Sequence, residues 1–298
     1  MAPPFFIVGN DRSGTTMLRM ILDRGPDAAI PPESMFLTDV ALPGDGAWQA
    51  LMDEVWSHPK VRLWRLPGPP PRVPPGLDPA AAARFVLSAP FEAYARKHGK
   101  PRWGDKTPHY VHHIDRLLGI WPDARVVVVV RDGRDVALSL RRMPFGPNNA
   151  WAAAQWWARG IRAGREAEAR HPGRVLTVRY EDLAGAPETH VPPVCGFLEL
   201  GYSEDMLAIE RSDRSKIVPD QAFFAALAGD ELRDLGYPVP TRPVSPPSPR
   251  RARLYRRHNE LMRNVNFIRL RVFQERGREL RFAVRRRLHD PVRRGTAA

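Results

Sequence analysis

The chain has 298 residues, a net charge of +13 and one cysteine, Cys195. Its length suits one large α/β domain with insertions or two small domains, and a single cysteine excludes an internal disulfide and a thiolate zinc cluster, which fits a reducing compartment. The charge is local: from Arg250 onward sixteen arginines stand against four acids, so the first 249 residues are nearly neutral and basicity describes only a C-terminal segment.

The opening MAPPFFIVG has few consecutive apolar residues and no basic n-region, so it reads as a core strand and not as a leader. No run approaches the roughly 20 apolar residues of a membrane helix. A cytoplasmic location is the expectation. Phe5, Phe6, Ile7 and Val8 form an apolar run without a polar face, as in a strand covered by helices on both sides. Gly9 ends it, Gly14 closes a four-residue loop, and Thr15 to Leu22 has the apolar spacing of a helix. A loop at a helix start gathers unpartnered backbone N–H groups and the positive end of the helix dipole, so it suits an anion. The Gly9 to Gly14 spacing is that of a Walker phosphate loop, but Thr15 occupies the lysine position. Arg12 offers a cation from within the loop instead, an arrangement for a 5′-phosphate group without a triphosphate tail or Mg²⁺.

Next, Asp27 to Thr38 carries Pro31 and Pro32, which enforce an extended path and place Glu33 near the end of a short second strand. Residues 39–100 read as an irregular insertion over the site, with a stiff proline-rich connector from Arg65 to Pro79 and a helix from Ala80 to Lys97. Trp103 to Tyr110 reads as a loop and Val111 to Trp121 as a helix. Arg125 to Val130, with five successive valines, is the strongest strand in the chain and belongs at the centre of a parallel sheet. Helices follow over Asp135 to Met143 and Trp151 to Arg170, then a strand over Arg174 to Tyr180. This alternation predicts an α/β domain over residues 1–237, a central parallel sheet flanked by helices. A proline-rich linker, 238–249, leads to a basic helical tail over 250–298.

A second anion site is expected where the valine strand ends, because ligands of open α/β sheets bind outside the carboxyl ends of the strands. Arg131 stands at that end and Ser139 eight residues later on the next helix, so one guanidinium and one hydroxyl could clamp a phosphate.

Taken in order, GNDRSGTT, PPES, GDKTP, VVVVVRDGRDVALSLRR and VRYEDL resemble the sulfotransferases that use 3′-phosphoadenosine 5′-phosphosulfate, nearest the tyrosylprotein and glycan branch and its bacterial relatives. The resemblance covers about residues 5 to 220, and its loop and 3′-phosphate motifs are the specific parts. It implies the phosphate-loop-like sulfotransferase fold. It implies also that Arg12, Ser13, Gly14, Thr15 and Thr16 hold the 5′-phosphosulfate and Arg131 and Ser139 the 3′-phosphate. Tyr180 would lie near the co-substrate, and Lys216, in SDRSKI, would belong to a loop closing over it. The chain departs from the pattern at Met143, where the tyrosylprotein branch often has a basic residue.

Sulfuryl transfer moves an anionic group in line, so it needs positioning, cations and a base for the acceptor hydroxyl, with no obligatory metal. Glu33, which returns to the sheet edge and aligns with the glutamate base of the tyrosylprotein branch, is the expected base. Lys106 would join Arg12 in stabilising the bridging oxygen, and adenosine 3′,5′-bisphosphate would be the product. His109 is the rival base, one residue later than the catalytic histidine of the cytosolic enzymes. Two other functions remain open: a phosphate-loop kinase or NTPase with Asp132 organising Mg²⁺, and an anion- or nucleic-acid-binding protein acting through its arginine tail. That tail lacks a recognisable nucleic-acid motif, so no nucleic-acid partner is expected; contact with a membrane surface or a protein is. The acceptor carries a hydroxyl and is a small molecule, saccharide, lipid or tyrosine peptide. Trp151, Trp156 and Trp157, with the insertion, would shape its pocket, and a homodimer is left open.

Overall fold

The structure is a computed structural model and describes residues 2–44, 46–140, 143, 146–208, 221–239 and 245–266. In chain order, β1 (Phe5–Gly9) leads to α1 (Thr15–Arg24) and β2 (Ala28–Ala29). Four helices follow: α2 (Phe36–Asp39), α3 (Trp48–Ser57), α4 (Pro59–Arg62) and α5 (Pro79–Lys97). Then come β3 (Arg102–Lys106), a 3₁₀ turn (Pro108–His112), α6 (Ile114–Ile120), β4 (Arg125–Val130) and α7 (Gly133–Leu140). α8 (Ala150–Arg170), β5 (Val175–Arg179), α9 (Tyr180–Gly185), α10 (Pro187–Leu198) and α11 (Gln221–Asp234) complete the body, and α12 spans 249–266.

All five strands are parallel, in the order β2-β3-β1-β4-β5, with helices on both faces, as the sequence predicts. β1 lies between β3 and β4, so the loop that leaves it opens among three strand ends: Ile7 is level with Lys106, and Gly9 with Val129. Side chains of a strand alternate between faces, and the core divides accordingly. Phe6, Val8, Val126, Val128 and Val130 join the cluster under α5, α6 and α8. Phe5, Ile7, Val127 and Val129 join Leu18, Leu22 and Leu198 on the other side.

Three expectations are corrected. Trp103 to Lys106, read as the start of a loop, belong to β3, the strand between β2 and β1, in which every residue is buried. The charged run RWGDK conceals this, because Arg102 and Lys106 find partners inside the protein and Gly104 leaves room for the tip of the Phe5 ring. A Cβ there would sit 2.4 Å from that ring. The predicted helix 111–121 is split into the 3₁₀ turn and α6. The insertion is more regular than expected: Met52, Val55, Trp64 and Phe91 from α3 to α5 and their connections enter the main core, with Phe91 stacked on Trp103 at 4.4 Å.

Asn149 caps α8 by accepting from Ala152 N at 2.8 Å, the usual role of asparagine at a helix start. Its amide also donates to Tyr255 O of α12 at 2.9 Å. The neighbouring Asn148 accepts from Asn266 Nδ2 at 2.9 Å and donates its backbone N–H to Asn259 Oδ1 at 2.8 Å. By these bonds α12 rests on the body at the start of α8.

Candidate active site

Two groups of side chains meet at the carboxyl ends of β1, β3 and β4. The first surrounds the loop after β1. Gly14 begins α1 in the left-handed conformation, φ 95°, with a Cβ position only 2.2 Å from the Tyr180 ring, so glycine is required on both counts. Arg12 also has positive φ, 70°. Ser13 is fully buried, and its hydroxyl has no partner among the described residues. Asn10 anchors the loop by donating to Trp157 O of α8 at 3.0 Å.

From this loop Arg12 Nε donates to Ser139 Oγ of α7 at 2.9 Å. Arg131, one residue past β4, donates to Asp135 Oδ2 at 3.1 Å, reaches Arg12 O at 3.5 Å and lies over the Tyr180 ring at 4.3 Å. Its buried Nε has no partner among the described residues. The two predicted anion sites are therefore one continuous cradle. Its unsatisfied donors, Ser13 Oγ and Arg131 Nε, and its two guanidiniums fit an anionic ligand, because a buried donor without an acceptor is costly until one arrives. Glu181 of the VRYEDL motif braces the strand end, accepting from Asp132 N at 3.0 Å and from Tyr237 OH at 2.8 Å. Asp132 itself accepts from Arg134 Nε at 2.8 and 3.1 Å.

The second group gathers at the end of β3. Lys106, 5% exposed at the end of β3, donates to Glu33 Oε1 at 2.7 Å and to Thr16 Oγ1 of α1 at 3.3 Å. Glu33 stands beyond β2, partly exposed. Beneath them lies a network that sequence reading missed. Thr107 Oγ1 accepts from Ser34 N at 3.1 Å, and the Ser34 and Tyr110 hydroxyls are hydrogen-bonded to each other at 2.9 Å. Thr107 Oγ1 also donates to Asp105 Oδ1 at 3.4 Å. Asp105 is wholly buried, and burial pushes its carboxyl up to about 7. This network seats Glu33 by fixing its neighbour Ser34 to the strand that carries Lys106.

Asp11 is the other acid that sequence reading passed over. Burial, and then the nearby Glu33 charge, raise its carboxyl above the usual range, while His109, Lys106 and Arg12 oppose the rise. His109 is exposed and makes ring contacts with His112 and His113 at centroid distances of 5.7 and 5.3 Å. Burial, then His109, hold both of those imidazoles below the ordinary value. Of the predicted site residues, Arg12, Ser13, Gly14, Arg131, Ser139 and Tyr180 come together in one group and Thr16, Glu33 and Lys106 in the other. Thr15 is buried in the first turn of α1, and Lys216 lies outside the described residues. Local sequence carries no signal for the Asp105 network, since its members are brought together from 73 positions apart. Asp11 was visible inside the loop motif.

Residues 3–204 match the model of the Sulfotransferase family. A Caenorhabditis briggsae protein provisionally assigned as a protein-tyrosine sulfotransferase is 30% identical over 209 residues, covering 68% of this chain and 67% of that protein. Protein-tyrosine sulfotransferase 1 of Danio rerio is 26% identical over 216 residues, 69% of this chain and 55% of its own length. The chain thus spans between about half and two thirds of these curated relatives. Among solved structures, the sulfotransferase domain of the Synechococcus PCC 7002 olefin synthase superposes with a TM-score of 0.54 at 23% identity, covering 80% of this chain and 96% of that domain. The sulfotransferase domain from the curacin biosynthetic pathway gives 0.50 at 20% identity, covering 80% and 98%. These likenesses establish a shared fold.

Proposed function

The chain belongs to the sulfotransferase family, and from that premise we propose that it moves a sulfuryl group from 3′-phosphoadenosine 5′-phosphosulfate to an acceptor hydroxyl. The observation that carries this reading is the Arg12 to Ser139 hydrogen bond, which joins the loop cation to the strand-end clamp in one cradle. A nucleotide with an anionic group at each of two ends, and no triphosphate, calls for such a paired set. Bound there, the donor would supply an activated S–O bond.

The chain's residues then divide the work. Ser13, Gly14, Thr15 and Thr16 hold the phosphosulfate through loop N–H groups and hydroxyls, at the positive end of α1. Arg131 and Ser139 hold the 3′-phosphate, with Tyr180 flanking the guanidinium. Glu33 takes the acceptor proton as the acceptor oxygen bonds to sulfur and the donor's S–O bond breaks. Lys106 and Arg12 meet the charge left on the departing phosphate oxygen, the usual use of preorganised cations in a site of this kind. The names of the relatives support a phenolic acceptor such as a tyrosyl side chain. The scheme asks for no metal.

The test is single-turnover sulfuryl transfer with labelled donor, comparing Glu33→Gln with His109→Ala. Loss confined to the Glu33 variant supports the assignment; full activity there with loss in the His109 variant reverses it.

A further inference from the structure

A cleft of about 530 Å³ runs between α8 and α12 and opens on the loop after β1. Its lining includes Asp11 from that loop, Trp151, Trp156 and Arg159 from α8, and Arg256 and Arg263 from α12. Asp11 is one residue from Arg12 and within electrostatic range of Glu33 and Lys106, so the cleft leads to the proposed reaction centre. Two features make it more than a solvated surface. First, none of the three guanidiniums lies within ion-pair distance of a carboxylate among the described residues, although they converge on one space. Second, the walls are aromatic: both tryptophans are partly buried, and Arg256 lies over the Trp151 ring at 5.8 Å. The acids facing them are Asp11 and Glu260. Two acids against three guanidiniums leave the cationic side in excess.

We propose that this cleft receives the acceptor, and that Arg256 and Arg263 of the C-terminal helix select an aromatic hydroxyl compound carrying a carboxylate. The ring lies against Trp151 and Trp156, and the carboxylate meets the guanidiniums, where an exposed but convergent set of arginines gives a charge-assisted grip. This rests on the proposed sulfuryl transfer, because it assigns the acceptor half of that site. It also gives α12 a role: the arginine-rich end of the chain supplies one wall of the site.

The experiment is a calorimetric titration of the full chain, saturated with adenosine 3′,5′-bisphosphate, using 3-(4-hydroxyphenyl)propionate and its amide. The acid should bind at least about tenfold more tightly, and rising salt should narrow the margin. In Arg256→Gln/Arg263→Gln the preference should fall below about threefold while nucleotide affinity is unchanged. Both arginines are exposed, so the double variant keeps the fold. Equal binding of acid and amide overturns the proposal. So does failure of the acid to bind a chain that binds the nucleotide, or a preference that survives the double substitution. A chain that does not bind the nucleotide overturns the donor reading instead, and the acid and amide then decide the cleft on the unliganded chain.

Discussion

Arg12 and Ser139 stand 127 residues apart in sequence and 2.9 Å apart in space, the guanidinium Nε donating to the hydroxyl. A loop cation and a hydroxyl of the helix after β4 that touch form one continuous binding surface, as a single ligand with two anionic ends requires. Replacing Arg12 by Gln should weaken adenosine 3′,5′-bisphosphate binding by about 10- to 150-fold, the equivalent of the roughly 1.5–3 kcal/mol of a charged hydrogen bond. Ser139→Ala should cost less, about 2- to 10-fold, as for a neutral bond. Calorimetry with and without Mg²⁺ measures both; affinity that appears only with Mg²⁺ and ATP would favour a kinase.

Lys106 and Glu33 are joined at 2.7 Å, so each substitution alters two groups. With Lys106→Ala and Glu33→Gln, kcat should fall by about 10² to 10⁴ in each, the range for a lost general base or a lost charge stabiliser. The double variant should lose less than the product of the two, because partners in contact are not additive. Single-turnover rates over the four proteins give the coupling directly.

Asp105 gives a pH signature. Its folded carboxyl is raised to about 7 from 3.8 by burial, so between those values the folded protein holds a proton that the unfolded chain releases. Stability from this group is complete below about pH 4 and is lost as pH rises through 7. Asp105→Asn, which imitates the neutral acid, should flatten the fall in Tm between pH 5 and 8 and leave the variant the more stable protein at pH 8. An unchanged slope in thermal unfolding would remove Asp105 as its source.

Gly14→Ala should be destabilising by about 1–3 kcal/mol, from positive φ and from overpacking on the Tyr180 ring. Denaturant unfolding checks the loss. Tyr180→Ala should recover the part due to crowding but not nucleotide affinity, since the ring that flanks Arg131 goes with it.

The sequence made the parallel sheet legible where side chains alone decide it: FFIV and the five valines are apolar on both faces and can be nothing but covered strands. β3 escaped because RWGDK is half charged. Only the assembled protein shows Lys106 satisfied by Glu33 and Thr16, and Arg102 held by the backbone carbonyls of Pro3 and Leu198. α10 was unread for a related reason, since Pro192 and Pro193 lie inside a helix whose other face is fastened to the core by Val191, Val194 and Leu198. In the site, each motif could be found from its own residues, while the contacts between motifs are tertiary. Nothing local to the loop predicts that Arg12 meets Ser139, or that Ser34, Thr107 and Tyr110 lock the Glu33 segment in place.

The carbonyl of Trp157 that holds Asn10 belongs to the same 21-residue helix whose first turns carry Trp151 and Trp156. Gly160 lets that helix press so close that a methyl group there would lie 2.1 Å from the Asn10 amide. The rod has no slack at this point, so on the proposed assignment a tilt at its acceptor end should reach the nucleotide end as movement of the loop. One substrate's arrival should therefore be sensed by the other's berth, and the enzyme should prefer an order of entry.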